Sequence, residues 1–168
     1  MNIFLPYEND IEKSVQALDD KRLNKQALEA YQLLQNALKE RNGEGVKGYK
    51  NHPIYVHYKE NIRFLLAYGY HCCAEWQYRF HKVHNLLQPF MYYIVQFGIN
   101  IDYVSYEPFY MEGTKGQPNY IRTKENVSAL YQKKLCGKWD NDKANGRPPK
   151  WTNRETPSFY KEKENGRN

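Results

Sequence analysis

The chain of 168 residues, with 26% charged residues and a mean hydropathy of −0.93, has the size of one domain with a single buried core. Its composition argues against a membrane protein, because no apolar run approaches the ~20 residues that span a bilayer. The first residues lack the features of a secretory signal, and the three cysteines form no disulfide framework. We therefore expect a cytoplasmic monomer.

The net charge of +6 is unevenly distributed along the chain. Residues 1–40 carry five Lys and Arg against seven Asp and Glu, whereas residues 133–168 carry ten against five. A basic C-terminal third predicts a polyanionic partner, and double-stranded DNA is the one we expect. The 16 tyrosines suit stacking on bases, although they also suit an ordinary aromatic core.

The apolar periodicity predicts a mostly α-helical fold. Residues 1–9 are expected to be extended or loop-like, because Pro6 argues against an early helix. They lead either into a short helix from about Asp10 or into an irregular segment capped by Ser14. A long helix then continues to about Arg41, where an Asn-Gly-Glu-Gly sequence breaks it.

Further helices are predicted along the rest of the chain. The segment 53–84 is mostly helical in character, and Pro53 suits its first turn. Residues 86–97 and residues 125–135 predict two more helices. The aromatic segment 103–117 contains proline and glycine, so we expect a loop there, with short strands as an option.

From Gly137 onward Gly, Asn, Asp and Pro dominate, and we predict an irregular basic arm rather than a helix. Basic and aromatic residues alternate in this arm, which is typical of phosphate contacts plus a stacking residue. The alternative is a tail that wraps the domain and buries its tryptophan. The arm residues are Arg147, Lys150, Trp151 and Arg154. We predict one compact helical domain over residues 1–160, with long irregular loops and a frayed tail at 161–168.

The long helix places a polar stripe opposite an apolar one. The polar stripe contains Arg22, Lys25, Gln26 and Glu29, and the apolar stripe contains Leu23, Ala27, Ala30, Leu34 and Leu38. One carboxylate among cations could hold an anionic backbone and perform acid–base chemistry with Glu29. The alternative interpretation is a solvated helix face with a weak Lys25–Glu29 ion pair.

A metal site is a weaker hypothesis, although histidines and cysteines cluster at His71, Cys72, Cys73, His81 and His84. The chain has no Cys-x-x-Cys pair and no His-Glu-x-x-His pattern, and adjacent cysteines point about 100° apart on a helix. Buried thiols and hydrogen-bonded histidines are the favoured interpretation. A glycine-rich phosphate loop is also missing from the sequence, so we predict neither a metal nor another cofactor.

Several motifs occur in the order seen in a known family. The long helix reads Leu-x-Asp-x-x-Leu with a later glutamate, here Leu18, Asp20, Leu23 and Glu29. A turn histidine, a Tyr-Lys pair, a Glu-x-x-x-Arg pattern and an Arg-Pro segment with tryptophan follow as His52, Tyr58, Lys59, Glu75, Arg79, Arg147, Pro148 and Trp151. This order resembles the phage pyrimidine-dimer DNA glycosylases, which are helical glycosylases with AP-lyase activity. A related group of uncharacterised phage proteins is similar through Lys21, Lys25, Glu29, Trp151 and Arg154.

The resemblance implies that Glu29 is the catalytic glutamate and that an α-amine is the nucleophile. Because α-amines as a class have pKa values near ~8, they are partly unprotonated at neutral pH. Asn2 is large enough for Met1 to be retained, so the Met1 α-amine is the expected nucleophile, or Lys25 substitutes, or the lyase step is absent. Asn2 is a further candidate for a catalytic residue. The segment before Leu18 is longer than in the family, so this expectation also requires that the amine can still reach Glu29.

The residues expected to contact DNA are Arg22, Gln26, His52, Lys59, Arg79, Arg147, Lys150, Trp151 and Arg154. We predict a DNA-base glycosylase, phage-encoded and acting in a host cell, that removes damaged or modified bases with an AP-lyase step through an imine. Two alternatives stay open. One is a non-catalytic nucleic-acid-binding protein, and the other is an enzyme of phage DNA-base hypermodification.

Overall fold

Helices make up most of the regular structure, as the sequence predicts. A computed structural model describes residues 1–46, 48–113 and 121–166, and in these ranges seven helices and one two-stranded sheet form. In chain order the elements are α1 (Ile11–Gln16), α2 (Asp20–Arg41), α3 (Pro53–Tyr58), α4 (Ile62–Phe80), α5 (Leu87–Gln96), β1 (Tyr110–Glu112), β2 (Ile121–Thr123), α6 (Val127–Ala144) and α7 (Ser158–Asn165). None of the helices in the described ranges combines the length and apolar composition that crossing a membrane requires.

The lead-in to α2 contains a short helix rather than an irregular segment. Asp10 caps α1, because its carboxylate accepts a hydrogen bond from the Lys13 N–H at 2.8 Å. Ser14 therefore lies inside α1 and is not its cap; its hydroxyl donates to the Tyr7 carbonyl at 2.8 Å. The long helix then ends at Arg41, directly before the predicted break.

The core forms where α2 packs against α4. The predicted apolar stripe of α2 faces this core: Leu23, Ala27, Ala30 and Leu34 are buried and Leu38 is partly buried. Full burial of one leucine side chain contributes roughly 2 kcal/mol, so this stripe is the main reason why α2 adopts its orientation. Of the polar stripe, Lys25 is exposed to solvent, whereas Gln26 also contacts α4 through the Tyr68 hydroxyl.

The segment 53–84 forms two helices instead of one long helical stretch. Pro53 begins α3, and the His52 ring caps it by accepting the Ile54 N–H at 3.3 Å. After Tyr58 the chain turns, and the Asn61 side chain caps α4 by accepting the Phe64 N–H. The break between α3 and α4 is set by local capping, which the apolar pattern does not reveal.

The helix predicted over 125–135 is longer than expected, which corrects the prediction of an irregular arm from Gly137. It continues as α6 to Ala144. A glycine inside a helix costs about 1 kcal/mol relative to alanine, but α6 gains more by burying Trp139 completely. The Trp139 indole N–H also donates to Asp19 Oδ1 at 2.8 Å, which ties α6 to the start of α2.

The irregular arm is shorter than predicted and lies between α6 and α7. Trp151 packs edge-on against Trp139 with ring centroids 5.0 Å apart, and its N–H donates to the Ala17 carbonyl at 3.0 Å. The arm therefore wraps the domain, as the alternative interpretation of its sequence predicted. The expected frayed tail is helical up to Asn165, and residues 167–168 lie outside the described residues.

The aromatic segment 103–117 contains one short strand. β1 pairs with β2 in antiparallel register, with Met111 opposite Arg122. The part of the predicted loop from 114 to 117 lies outside the described residues. The pair lies beside α6, because the Tyr131 hydroxyl donates to the Phe109 carbonyl at 2.9 Å.

Candidate active site

A cavity of about 330 Å³ lies where the amino-terminal segment, α2 and α6 meet. The lining residues are Met1, Asn2 and Phe4 from the amino-terminal segment, Lys21, Arg22, Lys25, Gln26 and Glu29 from α2, and Lys138, Asn141 and Asp142 from α6. All four residues predicted to be catalytic are among them. The structure therefore brings together predicted residues that lie up to 28 positions apart in the sequence, from Met1 to Glu29.

The amino-terminal segment reaches this cavity because its apolar residues are anchored in the core. Ile3 and Leu5 are fully buried, and the Phe4 N–H donates to Gln26 Oε1 at 2.9 Å. The short helix α1 takes up six residues of the segment before Leu18. Met1 and Asn2 consequently lie at the cavity.

Glu29 is a mostly buried carboxylate, 8% exposed, at the base of the cavity. Its Oε2 accepts hydrogen bonds from the Asn2 N–H at 3.3 Å and from Gln26 Nε2 at 2.8 Å. Its Oε1 lies 3.8 Å from Lys25 Nζ, whose side chain is 70% exposed. The polar stripe of α2 is thus not a solvated face, because the amino-terminal segment covers Gln26 and Glu29.

Arg22 lines the cavity, but both of its terminal nitrogens already have partners. They lie 2.9 Å from Asp19 on one side and 2.9 Å from Asp142 of α6 on the other. The Arg22 side chain is 11% exposed. It holds α6 against α2 as one wall of the cavity, so its first role is to shape the site rather than to contact a phosphate.

The residues from α6 are the part of the site that the sequence prediction missed. Lys138 and Asn141 line the cavity opposite α2, and Lys21 lies at its edge, 3.6 Å from Asp142. They were missed because the helix was expected to end near Leu135. The i, i+4 spacing of Lys134 and Lys138 is a signal that would have placed these lysines on one helical face.

The structure does not bring Arg79 to the cavity, although Arg79 was predicted to contact DNA. Its side chain is fully buried and donates to Glu75 Oε1 at 2.7 Å, to the Leu18 carbonyl at 2.8 Å and to Asp20 at 3.0 Å. Arg154 is held by the same acid, with Nη2 at 2.8 Å from Glu75 Oε2. Both arginines join the arm and α4 to the start of α2, and the Arg79 guanidinium is not accessible to DNA.

The other predicted contact residues lie outside the cavity. His52 lies in a neighbouring depression of about 470 Å³ beside Tyr49 and Lys50. Burial lowers the pKa of His52, and the positive charge of the amino terminus lowers it further. Lys59 forms an ion pair with Glu40 at 2.8 Å. Arg147 and Lys150 are exposed, whereas Trp151 is partly buried in the packing of the arm.

Of the cysteine and histidine cluster, Cys72, Cys73 and His84 are buried, whereas His71 is partly buried and His81 is exposed. Cys72 and Cys73 are buried and unpaired, and burial raises the pKa of the Cys73 thiol to about 12. His84 lies 3.4 Å from Cys73 Sγ. In the described part of the chain, no three His, Cys, Asp or Glu residues lie together in a way that could hold a metal ion.

The fold and the cavity define a class of protein: a helical protein that places a buried carboxylate in a cavity with its first residues and exposed lysines. Residues 1–89 match the model of the pyrimidine dimer DNA glycosylase family, and the chain belongs to this family. At the level of class it is a DNA glycosylase, and its substrate is DNA. The matched region contains the amino-terminal segment and α1 to α4, but not α6. No curated protein and no solved structure matches the chain.

Proposed function

We propose that the protein removes a base from DNA through an imine intermediate and then cleaves the strand as an AP lyase. The observation that carries this proposal is the contact between the Asn2 N–H and Glu29 Oε2, 3.3 Å long, in a cavity that also contains Lys25. With Met1 present the Asn2 nitrogen is a peptide amide, so this contact holds the residue next to the α-amine at the carboxylate, and Met1 lines the same cavity. An amine and a carboxylate in one cavity are the two groups that this chemistry needs.

The first step is attack by a neutral amine on C1′ of the target nucleotide. The new nitrogen–C1′ bond forms while the bond from C1′ to the base breaks, and the base leaves with the bonding electron pair and takes up a proton. The nitrogen then loses a proton, and its lone pair forms the C1′=N bond as the C1′–O4′ bond breaks; O4′ keeps the bonding pair and takes up a proton, which gives a cationic imine and a free hydroxyl. Removal of a proton from C2′ expels the 3′ phosphate and breaks the strand.

Glu29 is the group that handles charge and protons in this scheme. Its negative charge stabilises the positive charge that develops on the sugar and on the imine. Because Oε1 is turned toward Lys25 and the cavity, this oxygen can accept the C2′ proton during elimination. Removal of the carboxylate should therefore affect turnover far more than DNA binding.

The nucleophile is proposed to be an α-amine. Retention of Met1 places the α-amine of Met1 at the cavity, whereas removal of Met1 would turn the Asn2 nitrogen, 3.3 Å from Glu29, into the α-amine. Lys25 is the alternative amine in the same cavity, 3.8 Å from the other carboxylate oxygen. These candidates differ in mass after peptide mapping, so an experiment can separate them.

The cations around the cavity would hold the DNA backbone. Lys21, Lys25 and Lys138 are exposed and come from both walls, so phosphates on either side of the target nucleotide would meet a positive charge. Chemistry at C1′ inside a cavity requires the nucleotide to rotate out of the base stack. Damaged or modified bases, which stack and pair less well, are therefore the proposed targets.

The test is borohydride trapping of the protein on a duplex that contains an abasic site, followed by peptide mapping with mass spectrometry, and base release is measured in parallel on duplexes that carry a damaged or modified base. Wild type, Lys25→Gln and Glu29→Gln are compared. An adduct on Met1 or Asn2 that persists in Lys25→Gln supports the proposal, and an adduct that disappears in Lys25→Gln transfers the nucleophile to Lys25. Base release without an adduct leaves a glycosylase that lacks the lyase step. DNA binding with neither an adduct nor base release would contradict the proposal and favour a binding protein.

A further inference from the structure

Gln26 is predicted from the sequence to contact DNA, but the structure buries it between Glu29 and the amino-terminal segment. It is 1% exposed and lies on α2, one helical turn before Glu29. A side chain in this position touches the carboxylate and the backbone beside the α-amine at the same time. Its role is therefore better sought in the geometry of the site than in DNA contact.

Every hydrogen-bonding position of the Gln26 amide is occupied. Nε2 donates to the Asn2 carbonyl at 2.7 Å and to Glu29 Oε2 at 2.8 Å. Oε1 accepts from the Phe4 N–H at 2.9 Å and lies 2.8 Å from the Tyr68 hydroxyl, whose single proton also has the Phe4 carbonyl 3.0 Å away. An amide offers two donors and two acceptor positions, so each of them has a partner within hydrogen-bonding distance.

These partners also fix which way the amide points. Two acceptors surround Nε2, and the Phe4 N–H is a fixed donor to Oε1. A flipped amide would therefore place its oxygen against the Glu29 carboxylate and its NH₂ group against the Phe4 N–H. Tyr68 is fully buried on α4 and anchors the amide from the core side. The glutamine is thus held in one orientation by three separate parts of the fold.

As a consequence, the two carboxylate oxygens of Glu29 have different surroundings. Oε2 is turned inward by Gln26 and by the Asn2 N–H, whereas Oε1 is left facing Lys25 and the cavity. We infer that Gln26 is a positioning residue, which selects the reactive oxygen of Glu29 and holds the amino-terminal residues at that carboxylate. The catalytic part of this inference rests on the proposed function.

The test compares Gln26→Met with Gln35→Met, which makes the same change on the same helix away from the cavity. Two quantities are measured: the single-turnover rate of imine trapping on abasic-site DNA, and the Kd for a duplex with a stable abasic analogue. Because misplacement of a reacting group by about 1 Å costs roughly 10²-fold, we expect Gln26→Met to lower the rate about 10²-fold with little change in Kd. Loss of the donor to the carboxylate should also shift the acidic limb of the rate profile to higher pH.

Gln26→Glu provides a signature that a general loss of stability would not produce. When the pH falls, the introduced carboxyl group can share a proton with Glu29, which restores a donor to Oε2. The trapping rate relative to wild type should therefore rise as the pH falls from about 8 to about 5.5. Gln26→Met should show no such recovery. A fall in DNA affinity at an unchanged trapping rate would overturn the inference in favour of DNA contact, and an equal loss in Gln35→Met would overturn it in favour of a merely structural role.

A third readout does not depend on catalysis. Amide hydrogen exchange at Phe4 in the absence of DNA should be at least roughly tenfold faster in Gln26→Met than in wild type or Gln35→Met. If wild type shows neither trapping nor base release, the proposed function fails while this readout still tests the positioning. Unchanged exchange at Phe4 would contradict the inference whatever the activity.

Discussion

Glu29 combines two properties that a carboxylate on an open helix face does not have. It is 8% exposed, and its inner oxygen accepts two hydrogen bonds from the protein. Exposed Lys25 lies beside the outer oxygen, so a cation is already present where negatively charged DNA would enter. At the scale of one residue, this explains how a single acid can be held rigidly and still face a substrate.

Replacement of this acid should separate chemistry from binding. Glu29→Gln keeps the shape of the side chain but removes its charge, so base release should fall by roughly 10²–10⁴-fold while Kd for DNA changes little. Gel-based excision assays and fluorescence anisotropy measure the two quantities. The exposed Glu44→Gln is the matched control and should behave as wild type. Normal excision by Glu29→Gln would remove Glu29 from the mechanism.

His84 is a second residue whose protonation state follows from its surroundings. Burial lowers its pKa. Nδ1 accepts the Leu86 N–H at 3.1 Å, so the ring is neutral with its proton on Nε2, which faces Asn24 Oδ1 at 3.0 Å. A protonated Nδ1 would oppose the Leu86 N–H.

This protonation state predicts the sign of a pH effect on stability. Since the folded pKa lies below the unfolded value near ~6.5, His84 favours the folded state fully above that pH, and this contribution is lost as the pH falls toward the folded pKa. The melting temperature should therefore drop between about pH 7 and about pH 5, and it should drop less in His84→Gln. Differential scanning calorimetry measures both. An identical pH dependence in the two proteins would show that His84 carries none of the effect.

At the scale of elements, two contacts set the position of the helices. One joins α2 to α6 through Trp139, Asp19, Arg22 and Asp142, and it builds the far wall of the cavity. The other is the close approach of α4 and α5, where Gly69 lies directly beneath the Phe90 ring. A Cβ at Gly69 would lie 2.1 Å from Phe90 Cζ, so only glycine allows this approach.

Two alanine substitutions at helical glycines should therefore have opposite effects. Gly69→Ala is expected to destabilise the fold by about 1–3 kcal/mol, because the clash with Phe90 exceeds the gain in helix propensity. Gly137→Ala in α6 meets no atom of the described residues within 4 Å of its Cβ and should stabilise by up to about 1 kcal/mol. Urea unfolding measures both values. Destabilisation of similar size at both positions would show that the Phe90 contact is not the cause.

At the scale of the whole molecule, the cations of this protein with a net charge of +6 include two kinds: those held in ion pairs within the fold and those exposed to solvent. Arg79 and Arg154 are occupied by Glu75, so they hold the arm to the body of the protein. Arg147 and Lys150 of the same arm are exposed. Only the exposed cations can neutralise DNA phosphates and thereby release counterions from DNA.

The salt dependence of DNA binding should separate the two kinds of cation. Arg147→Gln and Lys150→Gln are each expected to reduce the slope of log K against log salt by about one. Arg154→Gln should instead lower the melting temperature, because it leaves the buried Glu75 with fewer partners. Lys39→Gln, near the other end of α2, is the control. If the slope is unchanged in the arm variants, the arm lies outside the DNA interface.

Local sequence predicts well those features that local interactions set. The apolar stripe and the end of α2 follow from residues within one or two helical turns, and so does the i, i+4 pairing of Lys25 with Glu29. The ordered motifs around Glu29 and His52 were enough to identify the family, because its match covers that half of the chain. The capping break before α4 was local too, but its signal is a single asparagine.

Long-range packing decided the rest. Gln26 and Glu29 are buried only because Ile3 and Leu5 anchor the amino-terminal segment across α2, a contact more than 20 residues away in sequence. The helix α6 continues beyond Gly137 because Trp139 finds a place in the core, and burial of a large aromatic outweighs local helix propensity. The prediction that Arg79 contacts DNA failed for the same reason. The fold brings acidic and carbonyl partners to the Arg79 guanidinium, and sequence spacing does not reveal these partners.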